Sequence, residues 1–212
     1  AEGNLVVQEL GAQLVALALG VRPGERVLDA CAGRGQKTSL FVERAGPGGE
    51  VWASDQHPEK LANLGRELAR LGLPPARTAA VDWTLGPGDV PGGFDRVLVD
   101  APCTGVGTLR RRPEIARRLT PEDPERLGRL ALAILREAAG RARPGGRVVF
   151  AVCSVLAEEA ERVVENVTDL LEPVPFDAPE LSSLIGDGSS RRLLPRAEGT
   201  DGYFVASFVR RG

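Results

Sequence analysis

Val97-Leu98-Val99-Asp100-Ala101-Pro102-Cys103-Thr104-Gly105-Val106-Gly107 decides how the rest of the chain is read. Its apolar start has the composition of a buried parallel strand, and Pro102 and Gly105 forbid the strand's continuation. Asp100 and Cys103 therefore stand just past the carboxyl end of a strand. In open α/β sheets that edge is where ligands bind.

The same unit recurs on both sides of this corner. A first strand is expected at 26–30, followed by the tight turn Cys31-Ala32-Gly33-Arg34-Gly35-Gln36-Lys37-Thr38 and a helix at 39–45 that stops at Gly46-Pro47-Gly48-Gly49. A second strand at 50–55 ends in Asp55, a helix follows at 59–72, and a third strand at 77–81 leads to Asp82. The fourth strand is 94–99. A helix at 124–140 precedes the fifth strand at 147–152, which Cys153-Ser154 closes. An amphipathic helix at 5–19 leads in, a helix is expected at 157–171, and a last strand at 202–209. Strands alternating with helices predict an α/β fold with a doubly wound, mostly parallel sheet and helices on both faces.

Composition narrows the classes of function. The chain has 212 residues, enough for one sizeable core, and no break in pattern separates two. A single domain over 1–212 is therefore expected, with 1–20 as a helical lead-in. A net charge of −2 argues against a protein that coats nucleic acid indiscriminately. Local basic clusters stand out all the same: Arg110-Arg111-Arg112, Arg117-Arg118, Arg191-Arg192 and Arg210-Arg211. No apolar run approaches the roughly 20 residues that span a bilayer, and no secretory signal opens the chain, so a cytoplasmic protein is expected. Three cysteines, Cys31, Cys103 and Cys153, form no C-x-x-C pair, and with one histidine they make a zinc site or a disulfide framework poor readings. No methionine occurs, even at the start, so the sequence reads as a piece of a longer chain.

Three strands lead to Asp29, Asp55 and Asp82, and a fourth to Asp100. One acid after a strand is a common turn residue. Four acids on one sheet edge, beside a Gly33-Arg34-Gly35 turn, fit a nucleoside-bearing cofactor. Asp55, about 20 residues past the turn, stands where a carboxylate holds ribose hydroxyls. The turn is not a P-loop, because its first glycine is too near Lys37-Thr38.

Asp100-Ala101-Pro102-Cys103-Thr104-Gly105, then Arg111-Arg112-Pro113-Glu114-Ile115, and Cys153-Ser154 one strand later, together resemble the Sun/Nop family of RNA 5-methylcytosine methyltransferases. The similarity runs from the helix around Gln8 to Asp201-Gly202-Tyr203-Phe204 and is strongest toward the bacterial small-subunit ribosomal RNA enzymes. It implies a Rossmann-like class I methyltransferase fold with a seven-stranded sheet and S-adenosyl-L-methionine as cofactor.

The resemblance also assigns roles. Cys31, Ala32, Gly33, Arg34, Gly35, Gln36 and Lys37 would hold the methionine part of the cofactor. Asp55 would bind the ribose, Asp82 the adenine side, and Asp100 would lie between cofactor and base. Cys153 would be the nucleophile, Cys103 would assist product release, and Lys37 would line the catalytic pocket. Such a residue set suits the chemistry. Carbon 5 of cytosine is a poor nucleophile until a thiolate adds to carbon 6, and a proton near ring nitrogen 3, with Asp100 in its acid form as candidate donor, offsets the developing charge.

The chain departs from the family's Cys-Ala-x-Pro-Gly-Gly-Lys turn at Arg34 and Gln36, and from its Thr-Cys-Ser at Val152. The implied partner is RNA, ribosomal rather than transfer RNA, met by a monomer with no metal and without the N-terminal RNA-binding domain of many bacterial relatives. The alternatives are a transfer RNA cytosine-5 methyltransferase and a catalytically silent RNA-binding relative. The basic loop at Arg110 to Arg112 is expected to contact phosphates.

Overall fold

A computed structural model describes residues 5–178, 188–195 and 199–212. The alternating pattern folds into strands β1 (Arg26–Asp29), β2 (Glu50–Asp55), β3 (Arg77–Ala80), β4 (Phe94–Asp100), β5 (Ala142–Val152), β6 (Leu171–Pro173), β7 (Ser190–Leu193) and β8 (Tyr203–Arg210). Helices α1 (Leu10–Ala18), α2 (Gln36–Ala45), α3 (Pro58–Arg70), α4 (Asp123–Ala139) and α5 (Glu161–Glu165) connect and flank them.

The strand order is β3-β2-β1-β4-β5-β8-β6, with β7 also paired to β8. Neighbours from β3 to β5 are parallel, whereas β8 runs antiparallel to β5. The order reverses direction between β1 and β4, the switch point at which a doubly wound sheet opens a crevice at its carboxyl edge.

Alternation along each strand builds two apolar layers. Leu28, Val97, Val99, Val148 and Phe150 pack with Ala131, Ile134, Leu135 and Ala138 of α4 on one face. Val27, Leu98, Val149 and Val205 pack with Val15 of α1, Phe41 of α2, and Leu64 and Leu68 of α3 on the other. Helices on both faces of a mostly parallel sheet are as expected.

Four details differ from the sequence reading. The sheet has eight strands, not seven, because β6 and β7 share the outer edge of β8: β6 pairs with Phe208 to Arg210 and β7 with Tyr203 to Ala206. The lead-in helix starts at Leu10, where the Glu9 side chain accepts a hydrogen bond from the Ala12 amide and caps the helix start. Leu5 and Val7 before it are exposed. The helix expected at 157–171 is only the five residues of α5, set among turns. β5 begins five residues early, at Ala142, and takes in Pro144-Gly145-Gly146 as an irregularity in its pairing with β4 between Phe94 and Arg96.

Past the carboxyl edge three loops meet in one close contact. The Gly107 amide donates to the Cys153 carbonyl at 3.1 Å, and the Gly202 amide donates to the Gly107 carbonyl at 2.8 Å. A methyl group on Gly107 would lie 2.0 Å from the Gly202 carbonyl oxygen and 2.9 Å from that of Cys153. Both obstacles are backbone and cannot rotate away. Gly107→Ala is therefore expected to destabilise the fold by about 2–3 kcal/mol, measured by denaturant unfolding; a loss near zero would show that the loops separate freely.

Candidate active site

The first glycine turn owes its shape to backbone freedom. Gly33 and Gly35 have φ of +56° and +85°, and Gly35 caps α2 in the left-handed region. A side chain at Gly35 would strike Leu64, at 2.5 Å. The Gly33 amide donates to Asp55 Oδ2 at 3.1 Å, and the His57 amide donates to Asp55 Oδ1 at 2.9 Å. Turn and second strand are thereby tied through one carboxylate. Lys60 of α3 lies 3.3 Å from that carboxylate.

Two cavities open along this edge. One, of 270 Å³, is lined by Cys31, Gly33, Asp55, Lys60, Asp82, Trp83 and Asp100 among others. The second, of 380 Å³, is lined by Asp29, Cys31, Ala32, Gly33, Arg34, Gln36, Lys37 and Asp100. They share Cys31, Gly33 and Asp100, so the sequence-predicted cofactor residues lie around one bipartite space, apart from Gly35, which is buried beneath it. Asp82 is held by Thr84, whose amide and hydroxyl both donate to Oδ1 at 2.9 and 2.6 Å; these bonds keep the Asp82 carboxyl below its usual range. Arg34 and Gln36, the departures from the family turn, are exposed.

Asp29 lies at the floor of the second cavity, 1% exposed. Thr38 Oγ1 donates to its Oδ2 at 2.7 Å, but Oδ1 is buried without a partner. Burial, only partly offset by Thr38 and Lys37, raises the Asp29 pKa from 3.8 to about 6. A buried acceptor with no donor, beside a cavity of this size, is chemically suited to a cationic group such as an amino acid's ammonium. Together with Asp55 under the other cavity, it makes the site fit an amino-acid-bearing nucleoside.

The reacting groups converge next to this space. Cys103 Sγ and Cys153 Sγ are 3.4 Å apart, and Lys37 Nζ donates to Asp100 Oδ2 at 2.5 Å. The hydrogen bond between the thiols separates their acidities. It lowers the Cys153 pKa, with Lys37 assisting against burial and Asp100, and it raises that of Cys103 well above the thiol range, with burial, the Cys153 charge and Glu159 adding to it. Of the two thiols, Cys153 is thus the more acidic and Cys103 the less acidic. Burial works against the Lys37 charge, but the neighbouring Asp100 outweighs it and raises the Lys37 pKa. Cys31 is different: burial, then the charges of Asp29, Asp100 and Asp55, push its thiol well above the usual range. In this geometry Asp100 accepts the lysine's hydrogen bond, so the proton at hand belongs to Lys37.

Several side chains at this edge were not assigned from sequence. Lys60 lines the first cavity, and Trp83 Nε1 donates to the Ala30 carbonyl at 2.8 Å. Asp201, fully buried, binds Arg111 through both carboxylate oxygens. Lys60 had a readable signal, a rare lysine five residues past Asp55. The others are long-range pairings with no spacing to reveal them.

Asp201 also changes the reading of the basic loop. Arg111 is committed to it, Arg110 donates to the Gly199 carbonyl, and Arg112 lies 3.7 Å from Glu114. Arg192 is paired with Glu161, and Arg211 donates to the Thr168 carbonyl. Arg117 and Arg118 are exposed and make no side-chain bond among the described residues. Among those residues no cluster of three metal-ligating side chains occurs, and no helix is long and apolar enough to cross a membrane.

Sheet order, glycine turn and strand-end acids define the class: a Rossmann-like, doubly wound α/β domain with its ligand edge at the switch point. A family model described as 16S rRNA methyltransferase RsmB/F matches residues 16–209, and the chain belongs to that family. It is 33% identical to the probable ribosomal RNA small subunit methyltransferase B of Bacillus subtilis, covering 99% of this chain and 48% of that protein. It is 40% identical to a putative methyltransferase of Mycobacterium tuberculosis, covering 99% and 47%. Among solved structures, a methyltransferase homolog protein from Pyrococcus horikoshii aligns with a TM-score of 0.76 at 28% identity, covering 98% of this chain and 68% of that one. NSun6 from the same organism, solved with SFG, shares the fold at a TM-score of 0.86 and 24% identity, covering 100% and 54%. The chain spans about half the length of the curated relatives it matches.

The position of Asp29 yields a pH test. An acid whose pKa is raised on folding contributes full stability below its unfolded value and loses it as pH rises through the folded value. A shift from 3.8 to about 6 corresponds to at most about 3 kcal/mol. Asp29→Asn keeps the Thr38 hydrogen bond and removes the charge. Its stability relative to the parent is expected to improve by about 1–2 kcal/mol between pH 5 and pH 7.5, read by denaturant unfolding at both; a constant difference would mean that Asp29 titrates normally.

Proposed function

We propose that the chain transfers a methyl group from S-adenosylmethionine to carbon 5 of a cytosine in RNA, with ribosomal small-subunit RNA as substrate, through a covalent cysteine–cytosine adduct. The observation that carries this reading is the pair of sulfurs 3.4 Å apart beside the Lys37–Asp100 pair. Methyl transfer to a nitrogen or oxygen needs no such pair. Family membership supports the RNA class of substrate.

Residues around the two cavities would hold the cofactor: Asp29 and the turn from Cys31 to Lys37 at its amino-acid end, Asp55 at the ribose, Asp82 at the base. When bound, the cofactor supplies an electrophilic methyl sulfonium. The chain's own groups prepare carbon 5. Cys153 Sγ, the more acidic thiol of the pair, adds to carbon 6 of the ring. Ring nitrogen 3 takes a proton that originates on Lys37 and is relayed through the Asp100 carboxylate across the 2.5 Å hydrogen bond, leaving Asp100 ionised and Lys37 neutral until solvent reprotonates it.

Consumption of the Cys153 thiolate removes the largest cause of the high Cys103 pKa. Cys103 then releases its proton to solvent and takes the one on carbon 5, and the carbon–sulfur bond to Cys153 breaks. Cys103 becomes a base only after Cys153 has bonded to the ring.

Cys153→Ala is expected to abolish transfer to a cytosine-containing RNA while changing cofactor affinity by less than about twofold, because the thiol's role is nucleophilic; full retained transfer would remove the nucleophile from this account. Cys103→Ala should accumulate a protein–RNA adduct that survives denaturation, seen as a shifted band in a gel. Arg117→Gln with Arg118→Gln should flatten the salt dependence of RNA binding by about 0.7–0.9 for each phosphate no longer neutralised. Arg111→Gln should leave that slope alone and lower stability, since its partner is Asp201. An equal slope change in both variants would contradict this division of the arginines.

A further inference from the structure

Glu159 sits on the turn after Cys153-Ser154 and is completely buried. The Thr104 amide donates to its Oε1 and the Thr104 hydroxyl to its Oε2, both at 2.6 Å. Two donors converging on both oxygens suit an acceptor-only carboxylate. No cation pairs with it among the described residues, and a buried carboxylate without a counter-ion is costly to fold. A neutral side chain could anchor Thr104 at lower cost. The charge therefore adds something that anchoring alone does not need.

Thr104 is the residue next to Cys103. Cys103 Sγ touches Cys153 Sγ at 3.4 Å. The charges of Cys153 and Glu159 act on Cys103, those of Asp100 and Lys37 act in opposite senses on Cys153, and the Asp100 and Cys153 charges act on Tyr203 of β8. Glu159 is thus bonded to Thr104, the chain neighbour of Cys103, whereas the Asp100 carboxylate carries Lys37 as its counter-ion.

We propose that Glu159 is a positioning residue that ties the Cys103 loop to the Cys153 turn through Thr104 and, by its negative charge, keeps the proton on Cys103 and the anion on Cys153. The proposal rests on the reading of Cys153 as nucleophile and Cys103 as the later base. Glu159 is among the groups that raise the Cys103 pKa, and the same charge makes Cys103 the stronger base once it is free to accept the carbon 5 proton.

The test needs neither RNA nor cofactor. Carboxymethylation by iodoacetate is followed against pH at each cysteine by mass spectrometry on the whole chain. In the parent, Cys153 reacts at lower pH than Cys103. Glu159→Gln keeps an acceptor for the Thr104 amide and a donor toward its hydroxyl but removes the charge. It is expected to lower the Cys103 midpoint by about one pH unit and to narrow the gap between the thiols, while Glu159→Asp preserves the gap. An unchanged gap in a folded Glu159→Gln protein overturns the proposal.

Should the Gln variant not fold, Thr104→Val replaces it. Loosening the Cys103 loop is then expected to raise the Cys153 midpoint, and an unmoved midpoint overturns the proposal equally. Failure of Cys103→Ala to trap an RNA adduct would instead refute the methyl-transfer reading, leaving the thiol profiles to be judged separately.

Discussion

Two glycines in backbone contact, Gly107 and Gly202, hold the reacting corner together. Three chain segments that are far apart in sequence, the Cys103 loop, the Cys153 turn and the start of β8, meet there through hydrogen bonds between main-chain groups. Any side chain at Gly107 would push them apart. The sulfur–sulfur distance of 3.4 Å is a consequence of this seam, and so is the difference in acidity between the two thiols. Buried Asp201 secures the seam from outside through Arg111, and buried Glu159 from inside through Thr104.

The cofactor side follows a different logic. There the sheet supplies the order, since β1, β2 and β4 deliver Asp29, Asp55 and Asp100 to a single edge at the switch point. Side-chain variation is tolerated where glycines and a carboxylate set the shape of the turn. Arg34 and Gln36 replace the family's usual residues but are exposed on a turn whose shape is set by Gly33, Gly35 and the Asp55 carboxylate. The sulfur pair and the cavities are thus built from separate devices that meet at the Lys37–Asp100 pair.

Much of this was legible in the sequence because it is local. Strand, glycine turn and helix follow one another in a fixed period, and an acid after each strand can be placed on the sheet edge without knowing any long-range contact. The cysteines of the Cys103 loop and the Cys153 turn could be brought to that edge for the same reason, although their contact could not be seen. The C-terminal third was harder to read. Helix periodicity at 157–171 overstated α5, because Val163 in α5, Val167 in the following turn and Leu171 at the start of β6 bury equally well from different elements. The short strands β6 and β7 carry too few residues to show alternation. The fate of the arginines was hidden as well, since pairing with Asp201 or Glu161 depends on contacts across the fold that no neighbouring residue announces.

Asp55 shows what such an arrangement asks of a ligand. Two amides, those of Gly33 and His57, fix both of its oxygens, while Lys60 rests beside them at 3.3 Å. The carboxylate is held against rotation, and on the proposed reading an arriving diol would have to displace the lysine. A sugar with two adjacent hydroxyls can take that place by offering two donors in a row, and a deoxy sugar can offer only one. On that reading, discrimination between them would come from the rigidity of a single acid.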